Sequence, residues 1–179
     1  MKRWRASVVA VLAIATVTHF CAVWALPRVI MRVVLSRGAD RAGKNQLTHP
    51  PMPTAADREI VRPSPDFAYS VCVLDLSQGP VRVEVPLTPP YTSVALYSGA
   101  TDNYFVQNDR ASGGRPLDLV VVAPGEPPPA RVPAESQVVE APDATGLVLV
   151  RRVVESPEAF PARDAARRRA RCAPFEGAR

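Results

Sequence analysis

The side chains of this chain that could bind a small molecule are mainly Asp and Tyr. Carboxylates and phenol hydroxyls are natural hydrogen-bonding partners for sugars and peptides. Five of them could line one shallow cleft: Asp66, Tyr69, Tyr97, Asp102 and Tyr104. The same residues also suit a structural role, because tyrosine rings pack in a core with their hydroxyls at its rim, and aspartate stabilises turns. We favour the structural interpretation and keep the ligand-binding cleft as the alternative.

Catalytic groups are scarce in the sequence. It has two histidines, His19 and His49, and no lysine after Lys44. A serine or cysteine nucleophile needs a nearby base, and a zinc ion needs three or four His, Cys or carboxylate ligands. A carboxylate pair such as Asp66 with Asp102 would be enough for a glycosidase, so an envelope enzyme stays open as an alternative. We predict no catalytic residue, no metal site and no cofactor, and we favour a protein that is not an enzyme.

The elements that would position these residues begin with an apolar N-terminal segment. Residues Ala6 to Leu26 contain no charged residue and follow three basic residues. About 20 apolar residues span a hydrocarbon core of about 30 Å as a helix. A cleaved signal peptide, with a cleavage region at residues 23–25, is the alternative, but the apolar run is longer than a normal signal core. We predict an uncleaved transmembrane anchor with a helical extension over residues 1–37.

The helical extension after Pro27 has two predicted faces. Ile30, Val33 and Val34 share one face, while Arg28 and Arg32 share another. These arginines could contact lipid phosphates or, alternatively, be solvated on a plain helical extension.

The remainder of the chain reads as a linker followed by one β-rich domain. Residues 38–54 contain Gly43 and three prolines and are predicted to be the linker, and residues 55–179 form the domain. Alternating apolar and polar residues predict seven strands, at 67–76, 80–85, 92–98, 104–107, 117–123, 137–140 and 147–154. Many short strands with close turns indicate a mainly β fold, either a β-sandwich or a jelly-roll-like domain. A C-terminal α-helix is predicted from Ser156 to about Arg171.

The positive charge of the chain is concentrated near its N-terminus. Residues 1–44 carry eight Lys or Arg and one acid, a net charge of +7, whereas residues 45–179 carry 14 Arg and 16 acids, a net charge of −2. A nucleic-acid-binding domain needs a basic face, so no nucleic-acid partner is predicted. The five arginines between 163 and 171 read as a solvated helix face or, alternatively, as a surface for an acidic partner or lipid headgroups.

Two cysteines in the body of the chain, Cys72 and Cys172, are predicted to form a disulfide. Cys72 lies in the first predicted strand and Cys172 at the end of the predicted terminal helix, so the bond would hold that helix against the sheet. Two unrelated thiols are the alternative. A disulfide requires an oxidising compartment, which is our reason for predicting the domain outside the cytoplasm, since the flanking charges do not decide the orientation.

Four short motifs resemble a known family. They are Arg62-Pro-Ser-Pro-Asp-Phe-Ala-Tyr-Ser, Leu74-Asp-Leu-Ser-Gln-Gly-Pro-Val, Pro90-Tyr-Thr-Ser-Val-Ala-Leu-Tyr-Ser and Thr101-Asp-Asn-Tyr-Phe-Val. They are similar to the domain-of-unknown-function family 1254, in particular to its short, membrane-anchored bacterial members. The resemblance implies a β-sandwich on the periplasmic side of the bacterial inner membrane. It also implies a companion envelope protein of domain-of-unknown-function family 1214, and no established reaction.

These observations lead to one expected function and one alternative. We expect a membrane-tethered interaction or structural module of the bacterial envelope, with a single pass through the inner-membrane lipid bilayer and a soluble periplasmic domain. The alternative is an envelope enzyme or small-ligand-binding domain that uses the Asp and Tyr cleft.

Overall fold

One long N-terminal helix, two β-sheets and one short helix make up the structure, a computed structural model that describes residues 2–58 and 63–177. Helix α1 is Lys2–Ala42. The first sheet has the strand order β1-β2-β8-β4-β5 and the second β7-β6-β3-β9. The strands are β1 Leu47–Thr48, β2 Phe67–Asp75, β3 Val81–Val85, β4 Thr92–Ser98, β5 Asn103–Asn108, β6 Leu117–Val122, β7 Gln137–Glu140, β8 Thr145–Val153 and β9 Arg171–Pro174. A 3₁₀ turn, Pro157–Ala159, leads into helix α2, Phe160–Arg167.

The core contains apolar side chains from both sheets. In β3 the buried residues are Val81, Val83 and Val85, while Arg82 and Glu84 between them stay partly exposed. β2 and β8 contribute Cys72, Leu74, Val148 and Val150 to the same cluster. Since successive side chains of a strand point to opposite faces, each sheet has one face in this core and one face outside it. The mainly β fold predicted from the sequence is therefore confirmed.

A disulfide joins the two sheets. The Sγ atoms of Cys72 on β2 and Cys172 on β9 are 2.08 Å apart, and the bond closes a loop with a sequence separation of 100 residues. The partners are the two cysteines paired in the sequence prediction, but Cys172 lies in a strand, not at the end of a helix. The bond therefore connects sheet to sheet.

The seven predicted strands are present with boundaries shifted by two residues or fewer. Two further strands, β1 and β9, were not predicted. β1 lies inside the predicted linker and pairs with β2, and helix α1 continues to Ala42, five residues beyond the predicted extension. The terminal helix is shorter than predicted, because it ends at Arg167 and the chain then pairs with β3 as β9.

The C-terminal part of α1 packs against the domain. Its buried and half-buried residues recur at helical spacing, namely Met31, Val34, Leu35, Gly38, Ala39 and Ala42. A Cβ atom on Gly38 would lie 2.7 Å from Cγ2 of Val73 on β2, so glycine allows the helix backbone to approach the sheet closely. Ile30 and Val33 are exposed, so the predicted apolar face of the extension is shifted by one residue toward Met31.

The segment after α1 is tied to the end of β2 by polar contacts. The side chain of Asn45 both donates to the carbonyl of Asp75 and accepts from its N–H, each at 2.8 Å. Lys44 Nζ lies 2.6 Å from the Asp75 carboxylate, which also accepts the N–H of Ser77. The hydrogen bond from Lys44, with those from Ser77, lowers the pKa of Asp75 to about 2. These contacts hold the end of α1 beside the β2–β3 turn.

Gly38→Leu should separate α1 from the sheet, because the added side chain would occupy the space of the buried Val73. We expect the free energy of unfolding to fall by about 1–3 kcal/mol, as for other overpacked sites, and protease cleavage after Ala42 to become faster. Chemical denaturation and limited proteolysis of the full chain in detergent would measure both effects. Ser36→Leu is the matched control, because Ser36 is exposed on the same helix. Equal stability of the two variants would contradict the close helix–sheet contact.

Candidate functional site

The five residues of the predicted Asp and Tyr cleft lie in two groups. Tyr69 on β2 is aligned with Arg151 on β8 and, through it, with Ser93 on β4. Tyr97 on β4 is aligned with Leu147, four residues away along β8, which corresponds to about 13 Å in a strand. Asp66 precedes β2 at the Tyr69 end, whereas Asp102 and Tyr104 lie in or beside β5 at the Tyr97 end.

The hydrogen bonds of these residues are mostly to residues nearby in the same chain. The Tyr69 hydroxyl accepts the N–H of Ser64 at 3.0 Å, and the Asp102 carboxylate accepts the Ser98 hydroxyl at 3.2 Å. The Tyr104 hydroxyl is buried without a hydrogen-bond partner among the described residues, and burial, with the nearby charge of Asp143, raises its pKa. The structure therefore places the five residues in two groups at different positions along β8, and a ligand-binding role for them stays a prediction.

A cleft of about 730 Å³ lies at one end of the second sheet. Its floor is the outer face of β3, β6 and β9, where Asp118, Glu84 and Arg171 lie side by side on neighbouring strands. The loop that precedes β6, the segment that leads into β7 and the segment between α2 and β9 form its walls, and contribute Arg115, Glu135 and Arg169. We call this the arginine cleft.

A fixed ion pair forms one side of the arginine cleft. The Arg82 guanidinium donates two hydrogen bonds to the Asp118 carboxylate, at 3.0 and 2.7 Å, and the Ser136 hydroxyl donates a third at 2.7 Å. Burial alone would raise the pKa of Asp118, but the hydrogen bonds from Arg82 and Ser136 outweigh it and hold that pKa below its usual value. Arg82 is thus occupied by protein carboxylates.

Three other arginines of the arginine cleft have no carboxylate partner among the described residues. The side chains of Arg169 and Arg171 form no hydrogen bond or ion pair there, and the Arg115 side chain donates only to the Ser112 carbonyl, at 3.3 Å. All three are exposed. Their guanidinium groups are free to bind an anion from solution, and guanidinium matches carboxylate and phosphate with paired hydrogen bonds.

A buried arginine lies behind the wall of this cleft. Arg152 is 1% exposed and donates to the Pro86 carbonyl at 2.6 Å and to the hydroxyls of Thr88 and Thr92 at 2.7 and 3.3 Å. It has no carboxylate partner among the described residues, and its Nε has no hydrogen-bond partner. Burial, with the positive charges of Arg169 and Arg167, lowers the pKa of Arg152 to about 10, so it is charged at neutral pH.

A smaller cavity of about 440 Å³ lies where α1 meets the domain. His49 is at its edge, with Nδ1 2.8 Å from the buried Ser70 hydroxyl. Burial, with the charges of Arg167 and Arg168, lowers the pKa of His49, so the imidazole is neutral at neutral pH. Within residues 2–58 and 63–177 no group of three His, Cys, Asp or Glu side chains could hold a metal ion.

Sequence reasoning missed the arginine cleft for a definable reason. The alternation in β3 and β6 does place Arg82, Glu84 and Asp118 on outer faces, and this signal was available. The cleft also needs Arg171 beside Glu84, and that neighbour follows only from β9, a strand with no alternating pattern.

Asp118→Asn should lower the free energy of unfolding at neutral pH by about 1–3 kcal/mol, because it removes two charged hydrogen bonds from Arg82. The pKa of Asp118 is lower in the folded state, so its stabilising contribution is present above the unfolded pKa of about 3.9 and is lost as the pH falls through the folded value. Denaturation at several pH values should therefore show the difference between wild type and variant shrinking below about pH 4.

The control for this variant is Glu84→Gln. Glu84 faces the same Arg82 at 3.2 Å but is 41% exposed, so its loss should change stability little. A deficit of Asp118→Asn that is unchanged across this pH range would contradict the role of its carboxylate.

One comparison with a solved structure agrees with the fold. The VPA0106 protein from Vibrio parahaemolyticus has a similar crystal structure, with a TM-score of 0.65, 14% identity, and coverage of 87% of this chain and 37% of that protein. An uncharacterised protein from Burkholderia cenocepacia aligns with a TM-score of 0.44 and 18% identity over 66% of this chain and 36% of that one. This chain therefore spans just over a third of each of these longer proteins. The comparison with curated proteins gave no match.

A family model also matches this chain. Residues 44–174 match the family described as "Protein of unknown function (DUF1254)". The matched region begins just after α1 and covers all nine strands and α2. It is the family that the four sequence motifs resemble, although Arg62, the first residue of the first motif, lies outside the described residues. This chain belongs to the DUF1254 family.

Proposed function

We propose that this protein is a single-pass protein of the bacterial inner membrane whose β domain lies in the periplasm. In this proposal the domain is an interaction or structural module of the envelope, not an enzyme and not a nucleic-acid-binding protein. The two sheets, which share one apolar core, would form a β-sandwich. The protein would hold this sandwich at the membrane surface.

The observation that carries the proposal is the division of α1 into two halves. Every described side chain from Trp4 to Trp24 is exposed, and the helix contains one stretch long and apolar enough to cross a membrane. The two tryptophans are 20 residues apart, which is about 30 Å along a helix. Tryptophan favours both membrane interfaces, and this distance matches the thickness of the hydrocarbon core.

The contacts at the end of the apolar segment also fit a membrane interface. The Arg28 guanidinium lies 4.5 Å from the centre of the Trp24 ring and donates to the Trp24 carbonyl at 2.6 Å. Such a pair suits the headgroup region, where an aromatic ring faces the apolar side and a cation faces phosphates. The first residue of the packed face, Met31, follows three residues later. The proposed span would therefore end about where contact with the domain begins.

The periplasmic location is supported by the cysteine pair. A disulfide persists in an oxidising compartment and is rare in the cytosol. Cys72 and Cys172 are bonded in the structure, whereas Cys21, inside the proposed span, is free.

A companion protein is supported by the partial coverage of longer relatives. This chain covers 37% of the VPA0106 protein, so the similar fold there is one part of a larger chain. We propose that the remaining part is supplied here by a separate envelope protein of domain-of-unknown-function family 1214. The exposed edge strand β5, with Val106 58% exposed, is one surface on which it could bind.

The full chain should stay in the membrane fraction after a carbonate wash, because a spanning helix is not held by charge. Replacing Ile14 and Val17 together by Arg should release it, since each charge near the centre of a span costs about 2.5–3.5 kcal/mol. Ser36→Arg is the control, because Ser36 lies outside the proposed span. Release of the wild-type protein as a soluble species that begins near Leu26 would contradict the anchor.

A labelling experiment on spheroplasts tests the orientation of the domain. Ala130→Cys places a thiol in an exposed loop, and a membrane-impermeant maleimide should label it in spheroplasts without lysis. Labelling only after lysis would place the domain in the cytoplasm and contradict the proposal.

Co-expression with a family 1214 protein from the same bacterium should give one complex of both chains on size-exclusion chromatography in detergent. Val106→Glu should weaken the complex if β5 is the contact, because it puts a charge in the interface, whereas Ser77→Glu at an exposed turn should not. Separate elution of the two wild-type proteins would contradict the companion.

A further inference from the structure

The arginine cleft is lined by both positively and negatively charged side chains. Arg115, Arg169 and Arg171 have no carboxylate partner among the described residues, while Glu84 and Glu135 also line the cleft. The volume of about 730 Å³ lies within the usual range for small-molecule sites, roughly 300–1,000 Å³. Its size and its exposed polar groups are therefore those of a binding site.

The buried Arg152 gives the cleft a positive potential that surface arginines alone would not give. A buried charge without a partner is costly, and proteins usually pair it with a carboxylate. Here three neutral oxygens surround it instead, and one of them belongs to Pro86, which lines the cleft. Arg169, also in the cleft, lies close enough to repel it. An anion bound near Arg169 would supply the counter-charge that the protein itself does not.

The carboxylates of the cleft limit the kind of anion. A dense polyanion such as polyphosphate would be repelled by Glu84 and Glu135. A ligand with separated negative groups and many hydroxyls would not, because hydroxyls can donate to carboxylates. Gln107 and Gln137 in the walls add neutral donors and acceptors. This set of groups matches a saccharide that carries acidic groups.

We propose that the arginine cleft binds an acidic saccharide, with Arg169 and Arg171 contacting its carboxylates or phosphates. The inference goes beyond the proposed function and does not rest on it, since the cleft would bind the same ligand in a domain that is not tethered to a membrane.

Isothermal titration of the full chain in a non-ionic detergent would test this site. The probe is trigalacturonate, with maltotriose as the neutral saccharide and tripolyphosphate as the anion without hydroxyls. We expect trigalacturonate to bind more tightly than either control and to bind less tightly as the salt concentration rises. No binding of trigalacturonate at millimolar concentration, or equal binding of maltotriose, would overturn the proposal. Tighter binding of tripolyphosphate would overturn it as well.

The variants locate the site. Arg169→Ala with Arg171→Ala should weaken binding of trigalacturonate by about tenfold or more, as expected for lost charged hydrogen bonds. Arg110→Ala with Arg131→Ala removes the same charge from exposed positions outside the cleft and should leave binding unchanged. If the alanine pair alters the thermal unfolding midpoint, Arg169→Gln with Arg171→Gln replaces it, because glutamine removes the charge but keeps a longer side chain with a polar end. Equal loss in the control pair, or no loss in the cleft pair, would overturn the assignment.

Discussion

The shared apolar core between the two sheets is the constraint on which the other features depend. Each sheet has valine and leucine side chains on its inner face, so the polar residues that alternate with them must face outward. This requirement places Arg82, Glu84 and Asp118 on the outer face of the second sheet. The Cys72–Cys172 bond crosses the same core and keeps β9 beside β3. Arg171 consequently lies next to Glu84, and the arginine cleft exists because of that pairing.

Much of the fold could be predicted because the alternation that indicates a strand is contained within a few consecutive residues. Alternation identified seven strands, and Gly79 in the turn after β2 has a φ of 118°, a conformation that glycine adopts readily. β1 and β9 were not predictable, because β1 has only two residues and β9 shows no alternating pattern, and both become strands only by pairing with β2 and β3. The five Asp and Tyr residues lie in two groups for a related reason. In the first sheet β8 lies between β2 and β4, and its register depends on contacts far along the chain.

The arginines near the C-terminus show how residues of one type acquire different roles. Arg163 binds Glu155 and Arg168 binds Asp164 on the surface. Arg167 is buried, with its guanidinium bonded to Asp164 and to the Tyr69 carbonyl. Only Arg169 and Arg171 remain for the cleft. A count of charge along the sequence treats these arginines as one basic patch. In the structure they differ in burial and in hydrogen-bonding partners, so they do not act as one surface.

The packing of α1 on the first sheet has a mechanical consequence. A flexible linker would let a tethered domain rotate freely, but here the same continuous helix includes the apolar segment and the docked face with Gly38. If the apolar half spans a bilayer as proposed, the domain cannot tilt relative to the membrane without tilting or bending the helix in the lipid. A load applied to the domain, by a partner or by the cell wall, would then be transmitted to the membrane as a change in helix tilt, so the helix would act as a lever.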